Sequence, residues 1–247
     1  MKKRFIALSC FVMFFCGSTA QASTVLKYNV NASSSWVPYY IADSAEEPGI
    51  LGELVPLLLA KANIDIEKHN FPPKRTNYAL DNGLLDFDFV SPDWFPNKDL
   101  GTLFVQSDPI IAIQENIITL EENAKNWQNI NNIKGKEIGT VRGYLYHDDA
   151  QYTRVDFVSE RDLIKALYKN RIDAAICGDL PALYWAKKLN SPISLAAIHT
   201  QGELVMRLRK EHLALLPQIN AAIAEFNQNG TTQSIIDKYT KQDVFNR

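Results

Sequence analysis

Two polar interruptions carry most of the chemistry this sequence offers. In "LDFDFVSPDWFPNKDLGTLF", from Leu85, a run that starts like a buried strand breaks after Val90 into Ser91-Pro92-Asp93-Trp94. In "LYKNRIDAAICGDLPALYW", from Leu167, an apolar strand breaks at Gly178 into Asp179-Leu180-Pro181. Asp179, before a helix with proline near its first turn, is suited to cap that helix, and a cap at a ligand-facing helix start can also touch a ligand. Arg142-Gly143-Tyr144 stands between a strand and a short helix, where free backbone N–H groups and the helix dipole favour an anion and Gly143 permits close approach. The plain alternative there is a turn with an exposed arginine. Trp36, Tyr39 and Trp94 fall in predicted loops, where a half-exposed ring can stack on a ligand. These residue types recognise a molecule; none of them forms a bond-making constellation.

The catalytic and metal readings find little else. There is no Gly-x-Ser-x-Gly elbow and no Gly-rich phosphate loop. The four histidines (His69, His147, His199, His212) have no i, i+4 partner, and "HDD" at His147 reads as a helix start rather than a ligand set. Cys177 lies on a predicted buried strand. No catalytic residue, metal or cofactor is expected.

The elements that must position these residues follow a basic tip and an apolar run, "MKKRFIALSCFVMFFCGSTAQA", which reads as a secretory leader cut after Ala22. The run is too short to span a bilayer. Removing it takes the 26 Lys and Arg to 23 against 28 Asp and Glu, a net charge of −5, and leaves Cys177 as the one cysteine. An acidic chain has no electrostatic support for nucleic-acid binding. A soluble, monomeric periplasmic protein without disulfides, held by its core, is the expectation.

From "TVLKYNV" the pattern runs strand, helix ("GILGELVPLLLAKANI"), strand ("IDIEKHNF"), helix (opened by Pro72-Pro73) and strand ("LLDFDFV"), the signature of a parallel sheet with helices on its faces. "GTLFVQSDPIIAIQENIITL" has no helical stripe and reads as an extended crossing into a second lobe. There the alternation resumes with "EIGTV", "RVDFV", the helix "SERDLIKALYKN", "IDAAIC" and the helix "LPALYWAKKLN"; "ISLAAIHTQGELVMRL" crosses back. A last helix, "PQINAAIAEFNQNG", begins at Pro217 and ends before Gly230. The expected organisation is a leader over 1–22, a first lobe over 23–108 and 201–247, and a second over 109–200. Two α/β lobes joined by two extended crossings leave a cleft at the carboxyl ends of their strands, where small ligands bind.

These residues resemble the periplasmic solute-binding proteins of ABC importers, family 3, a group that includes polar amino acid binders. The resemblance rests on "WVPY", the Gly49-x-x-Gly-Glu-Leu start of the first helix, "LDNGLLDFDFVS", "FVQSDPI", "IKGKEIGTVRG", "LIKALYKNRIDAAICGD" and the tail "INAAIAEFNQNGTTQSIIDKY". It implies a hinge-closing, two-lobed fold, each lobe a mainly parallel sheet flanked by helices, and a small amino acid-like solute delivered to an ABC permease or read by a membrane receptor.

The resemblance also implies site residues. It puts Ser91 and Asp93 at polar ligand-contacting positions and Arg75 at a cleft-facing one. The arginine that holds an amino acid's carboxylate is replaced by Lys98, a point charge in place of a planar fork. The ammonium-binding aspartate falls on Asp179 when one extra residue is allowed after Asp173. A few relatives dehydrate cyclic dienyl acids with a cleft carboxylate, a role open to Asp93 or Asp179.

Overall fold

The computed structural model describes residues 24–30, 36–41 and 44–241; the leader read over residues 1–22 lies outside them. The first half begins with β1 (Thr24–Asn29), α1 (Ile50–Lys61), β2 (Ile64–His69), α2 (Pro73–Asp81) and β3 (Phe87–Val90). Strands β2 and β3 both pair with β1 in parallel. On α1, Leu51, Leu54, Val55, Leu58 and Leu59 are all buried, so apolar residues three and four apart in the sequence form the face that meets the core. Each such leucine contributes about 1.5–3 kcal/mol on burial.

Two short 3-10 turns, Pro92–Trp94 and Pro96–Lys98, follow β3, and the chain then passes through β4 (Phe104–Gln106) and β5 (Ile111–Thr119). The second half continues with β6 (Glu137–Val141), β7 (Thr153–Phe157), α3 (Glu160–Tyr168), β8 (Ala174–Gly178) and α4 (Asp179–Lys188). Both β7 and β8 pair with β6 in parallel. The long β9 (Ser194–Arg209) brings the chain back.

β9 runs through both halves. Its first part pairs antiparallel with β5, from Ile111 opposite Leu204 to Thr119 opposite Ser194, and its last part pairs antiparallel with β3 and β4. The two predicted crossings are therefore adjacent strands of one mixed sheet in the order β2-β1-β3-β9-β5-β8-β6-β7. Helices α5 (Leu216–Gln228) and α6 (Thr231–Thr240) pack back on α1. The expected last helix stopped at Gly230. That glycine adopts φ 80°, a left-handed conformation that ends α5 and lets α6 start at once.

The cores are separate. Leu26, Tyr28, Leu54, Phe87, Met206 and Ile219 centre one under α1 and α5, whereas Ile118, Leu163, Leu167 and Ala175 centre another under α3 and α4. A third, around Ile117, Ile133, Ile138 and Ile176, covers the opposite face of the second sheet. Among the described residues no helix is long and apolar enough to cross a membrane.

Candidate functional site

Four strand ends meet at one place. Asn29 closes β1, Val90 closes β3, Val141 closes β6 and Gly178 closes β8, and all four line a cavity of about 140 Å³. Parallel strands direct their carboxyl ends and following loops to one edge, so two such sheets facing each other put loop residues from both around a common space.

On the first sheet's side, Trp36, Tyr40 and Trp94 form the aromatic wall. The loop from Trp36 to Tyr40 is anchored by the start of α1: Ile50 N donates to Pro38 O at 2.8 Å and Leu51 N to Tyr39 O at 2.9 Å. Gly49 makes that approach possible, because its φ is 92° and a Cβ there would stand 2.7 Å from both carbonyl oxygens. The Trp36 ring lies 4.2 Å from Tyr39 and 6.2 Å from Trp94 between centroids. Asn29 is committed to its own half: it donates to Thr76 Oγ1 at 2.8 Å and to Phe71 O at 2.9 Å, and accepts from Phe71 N. It thereby positions α2, which presents Asn77.

On the second side, Gly143 and Tyr144 follow β6, and Tyr146 hydrogen-bonds Val141 N through its hydroxyl at 3.2 Å. The Tyr144 hydroxyl donates to Glu160 Oε1 at 2.6 Å. Glu160 opens α3 directly after Ser159, whose Oγ caps the helix by accepting from Asp162 N. Glu160 is only 1 % exposed, and burial pushes its carboxyl up to about 7 against the Tyr144 hydrogen bond that favours the charged form. Burial likewise pushes the Cys177 thiol up, with Glu160 and Glu115 adding to it, so this cysteine is no ready nucleophile.

Among the described residues three carboxylates line the cavity: Asp88, Glu115 and Glu160. Asp88 is held in a fork by Arg207, whose Nε lies 2.9 Å from one carboxylate oxygen and whose Nη2 lies 2.6 Å from the other. Glu115, in the middle of β5, sits 3.8 Å from His199 Nδ1. His199 in turn bonds Asp148 Oδ1 at 2.9 Å and Thr200 Oγ1 at 2.8 Å. Burial opposes a charged imidazole, yet Asp148 and Glu115 prevail and hold it up to about 9. Burial would raise Asp148, but the His199 hydrogen bond holds its carboxyl below the ordinary range. His147, Asp148 and His199 bring metal-binding atom types within 4.8 Å of one another, but Asp148 and His199 spend theirs on each other.

The residues singled out from the sequence divide into three groups. Trp36, Trp94, Gly143 and Tyr144 line the cavity. Tyr39 and Asp179 line a second, more open hollow against the crossing strands, with Gln114, Gln201 and Glu203. Ser91, Asp93, Lys98, Arg75 and Arg142 line neither. Ser91 is buried and accepts from Asp93 N, and the two side chains fill the space that a Cβ at Gly202 of β9 would need. Lys98 is 67 % exposed and pairs with Asp93 at 2.7 Å. Arg75 is exposed over the Phe71 ring, and Arg142 is exposed while its backbone N–H donates to Phe157 O. Sequence reasoning did not single out Asp88, Glu115, Glu160 or Asn77. For Glu115 a signal existed: a charge inside the apolar run "IAIQENII".

Comparisons with known proteins bear on the fold and the family. Over 118 residues the chain is 30% identical to the L-cystine-binding protein TcyJ of Escherichia coli (strain K12), a match spanning 45% of this chain and 44% of that protein. Among solved structures, an ancestral arginine-binding protein bound to arginine superposes with TM-score 0.70 at 20% identity, covering 89% of this chain and 99% of that one. The ancestral amino acid-binding protein AncCDT-1, a precursor of cyclohexadienyl dehydratase, superposes with TM-score 0.67 at 17% identity over 87% of this chain and 95% of its own. At such identities the likeness is one of fold, the two-lobed type II binding-protein fold. The model of the bacterial extracellular solute-binding proteins, family 3, matches residues 28–242, and the chain belongs to that family.

Proposed function

We propose that this chain is a periplasmic solute-binding protein that closes two lobes, residues 23–108 with 201–247 and residues 109–200, on a small solute and presents it to an ABC importer. The observation that carries the reading is the cavity at the four strand ends, lined from both sheets. A guest that touches both halves binds the closed form better than the open one, and only such differential contact drives closure. β5 and β9 supply the crossing, and the cavity suits a small molecule rather than a protein. Family membership and the leader support export.

The test is a thermal-shift screen of the purified chain against amino acids, amines, organic acids and small peptides, followed by small-angle scattering with the best compound. A guest of the folded form raises Tm with its concentration and shrinks the radius of gyration. A screen in which nothing raises Tm overturns the proposal.

A second reading, a dehydratase of cyclic acids, has one observation in its favour: Glu160 is a buried cavity carboxyl raised to about 7, the kind of group that serves as a general acid. Against it stands a described lining without a cation to hold the substrate's carboxylates. Turnover of prephenate by the purified chain would favour it; no turnover leaves a binding protein.

A further inference from the structure

Taking the cleft as a solute site, we infer that its guest is an organic cation without a free carboxylate, an amine or guanidinium compound held between carboxylates and aromatic faces. The inference rests on that reading of the cleft, and begins with charge. The described lining holds Asp88, Glu115 and Glu160 and no lysine, arginine or histidine. Asp88 is neutralised by Arg207. Glu115 shares His199 with Asp148, two carboxylates to one imidazole. Glu160 faces no base; its partner is the Tyr144 hydroxyl. Glu115 and Asp148 together outnumber their one imidazole, and Glu160, which burial holds partly protonated near neutral pH, gives up its proton beside a cation, so an ammonium or guanidinium entering the cavity completes the balance.

The second observation is independent of the count. Among the described residues, four buried polar atoms of the lining have no hydrogen-bond partner: Glu115 Oε2, Glu160 Oε2, the Tyr40 hydroxyl and Trp94 Nε1. Three of the four accept hydrogen bonds and one can only donate. Buried polar atoms left unsatisfied are rare and call for a partner. A guest bearing several N–H donors satisfies the acceptors, whereas a carboxylate would add to them. Trp36, Trp94, Phe89 and Tyr144 supply ring faces around the same space, and a cation gains from such faces where water is excluded.

The groups that would hold a carboxylate lie elsewhere. Lys98, at the position of the family's carboxylate-binding arginine, is exposed and tied to Asp93. Arg75 and Arg142 are exposed outside the lining. In the turn after β6 the amides of Arg142 and Tyr144 donate to Phe157 O and Val141 O, so they are spent within the chain.

The test uses matched pairs that differ by one carboxylate: agmatine against L-arginine, putrescine against L-ornithine and cadaverine against L-lysine, titrated by calorimetry into the full chain. In at least one pair the amine is expected to bind about tenfold or more tightly than its amino acid, and Glu115→Gln and Glu160→Gln are each expected to weaken it about tenfold or more, Glu160→Gln without lowering the ligand-free Tm and Glu115→Gln, which also removes a partner of His199, at a temperature where the variant is folded. Tighter binding of the amino acid, or binding only of an anion in the wider screen, overturns the cationic class and leaves the solute-binding reading standing. The class also falls if the two glutamine variants bind the amine as the parent does, or if Arg75→Ala or Arg142→Ala abolishes binding while they do not. Silence from every compound overturns both.

Discussion

The side-chain amide of Asn77 donates to the carbonyl oxygen of Gly143 at 3.3 Å, joining α2 of the first half to the turn after β6 in the second. Both residues line the cavity, so this bond closes over the space that a guest would fill.

Such a bond favours the closed arrangement before any guest arrives. Asn77→Ala is expected to shift the ligand-free chain toward open forms, seen as a larger radius of gyration in small-angle scattering. It should weaken guest binding about two- to tenfold, as befits one hydrogen bond of about 0.5–1.5 kcal/mol. An unchanged radius together with unchanged affinity removes the latch from the account.

Glu160 makes stability depend on pH in a definite direction. Its carboxyl lies higher in the fold, about 7, than the ordinary 4.5, and faces Tyr144 from the β6 turn and Cys177 from β8. Between pH 4.5 and 7 the unfolded chain releases this proton and the folded chain keeps it. Stability therefore falls over that window, by about 3 kcal/mol at most. Glu160→Gln should match the parent in Tm at pH 4 and exceed it at pH 8; a variant less stable than the parent at pH 8 would contradict this.

His199 acts in another window. Its imidazole is held up to about 9 against an ordinary 6.5, with Asp148, Glu115, Thr200, His147 and Tyr146 around it. A raised base contributes stability in full below about pH 6.5 and loses it as pH climbs through 9. The gap in denaturation free energy between the parent and His199→Gln should accordingly be widest near pH 6 and shrink by pH 9.5, by about 3 kcal/mol at most. A gap that widens with pH would reverse the assignment.

Asp88 and Arg207 form the cavity's buried fork, with Arg207's side chain 6 % exposed. Asp88→Ala leaves that guanidinium uncompensated among Phe95 and Phe104, and urea denaturation should show a loss of about 3–5 kcal/mol. Adding Arg207→Met should recover much of it. A single variant as stable as the parent would show that water already reaches Arg207.

The elements were largely legible because periodicity follows from burial. The α1 stripe and the proline-opened α2 lie where the pattern of residue types puts them, whereas the cap expected at Asp179 falls one residue earlier, on Gly178, and Asp179 is the first residue of α4. The crossings were legible as extended segments, but that they pair side by side and join two sheets into one was not, since strand partners are chosen by distant chain. In the site, loop aromatics and the glycine turn were readable from type and position. Asp88 was not, because a charge in a strand alternation is equally compatible with solvent and with a cleft, and the apolar run around Glu115 marked a buried charge without saying which space it faces.

By itself the sequence determined two α/β halves, their order, the two extended connections and the polar, aromatic strand ends, because these depend on local periodicity and on residue type. Only the tertiary structure decided which charged side chains share the enclosed space. Which face of β3 and β5 is turned inward is settled by register against β9 and β8, and which helix start is covered is settled by how the two sheets face each other. It is that packing, not the spacing along the chain, that buries Glu115 and Glu160 around the cavity and leaves Arg75, Lys98 and Arg142 in solvent.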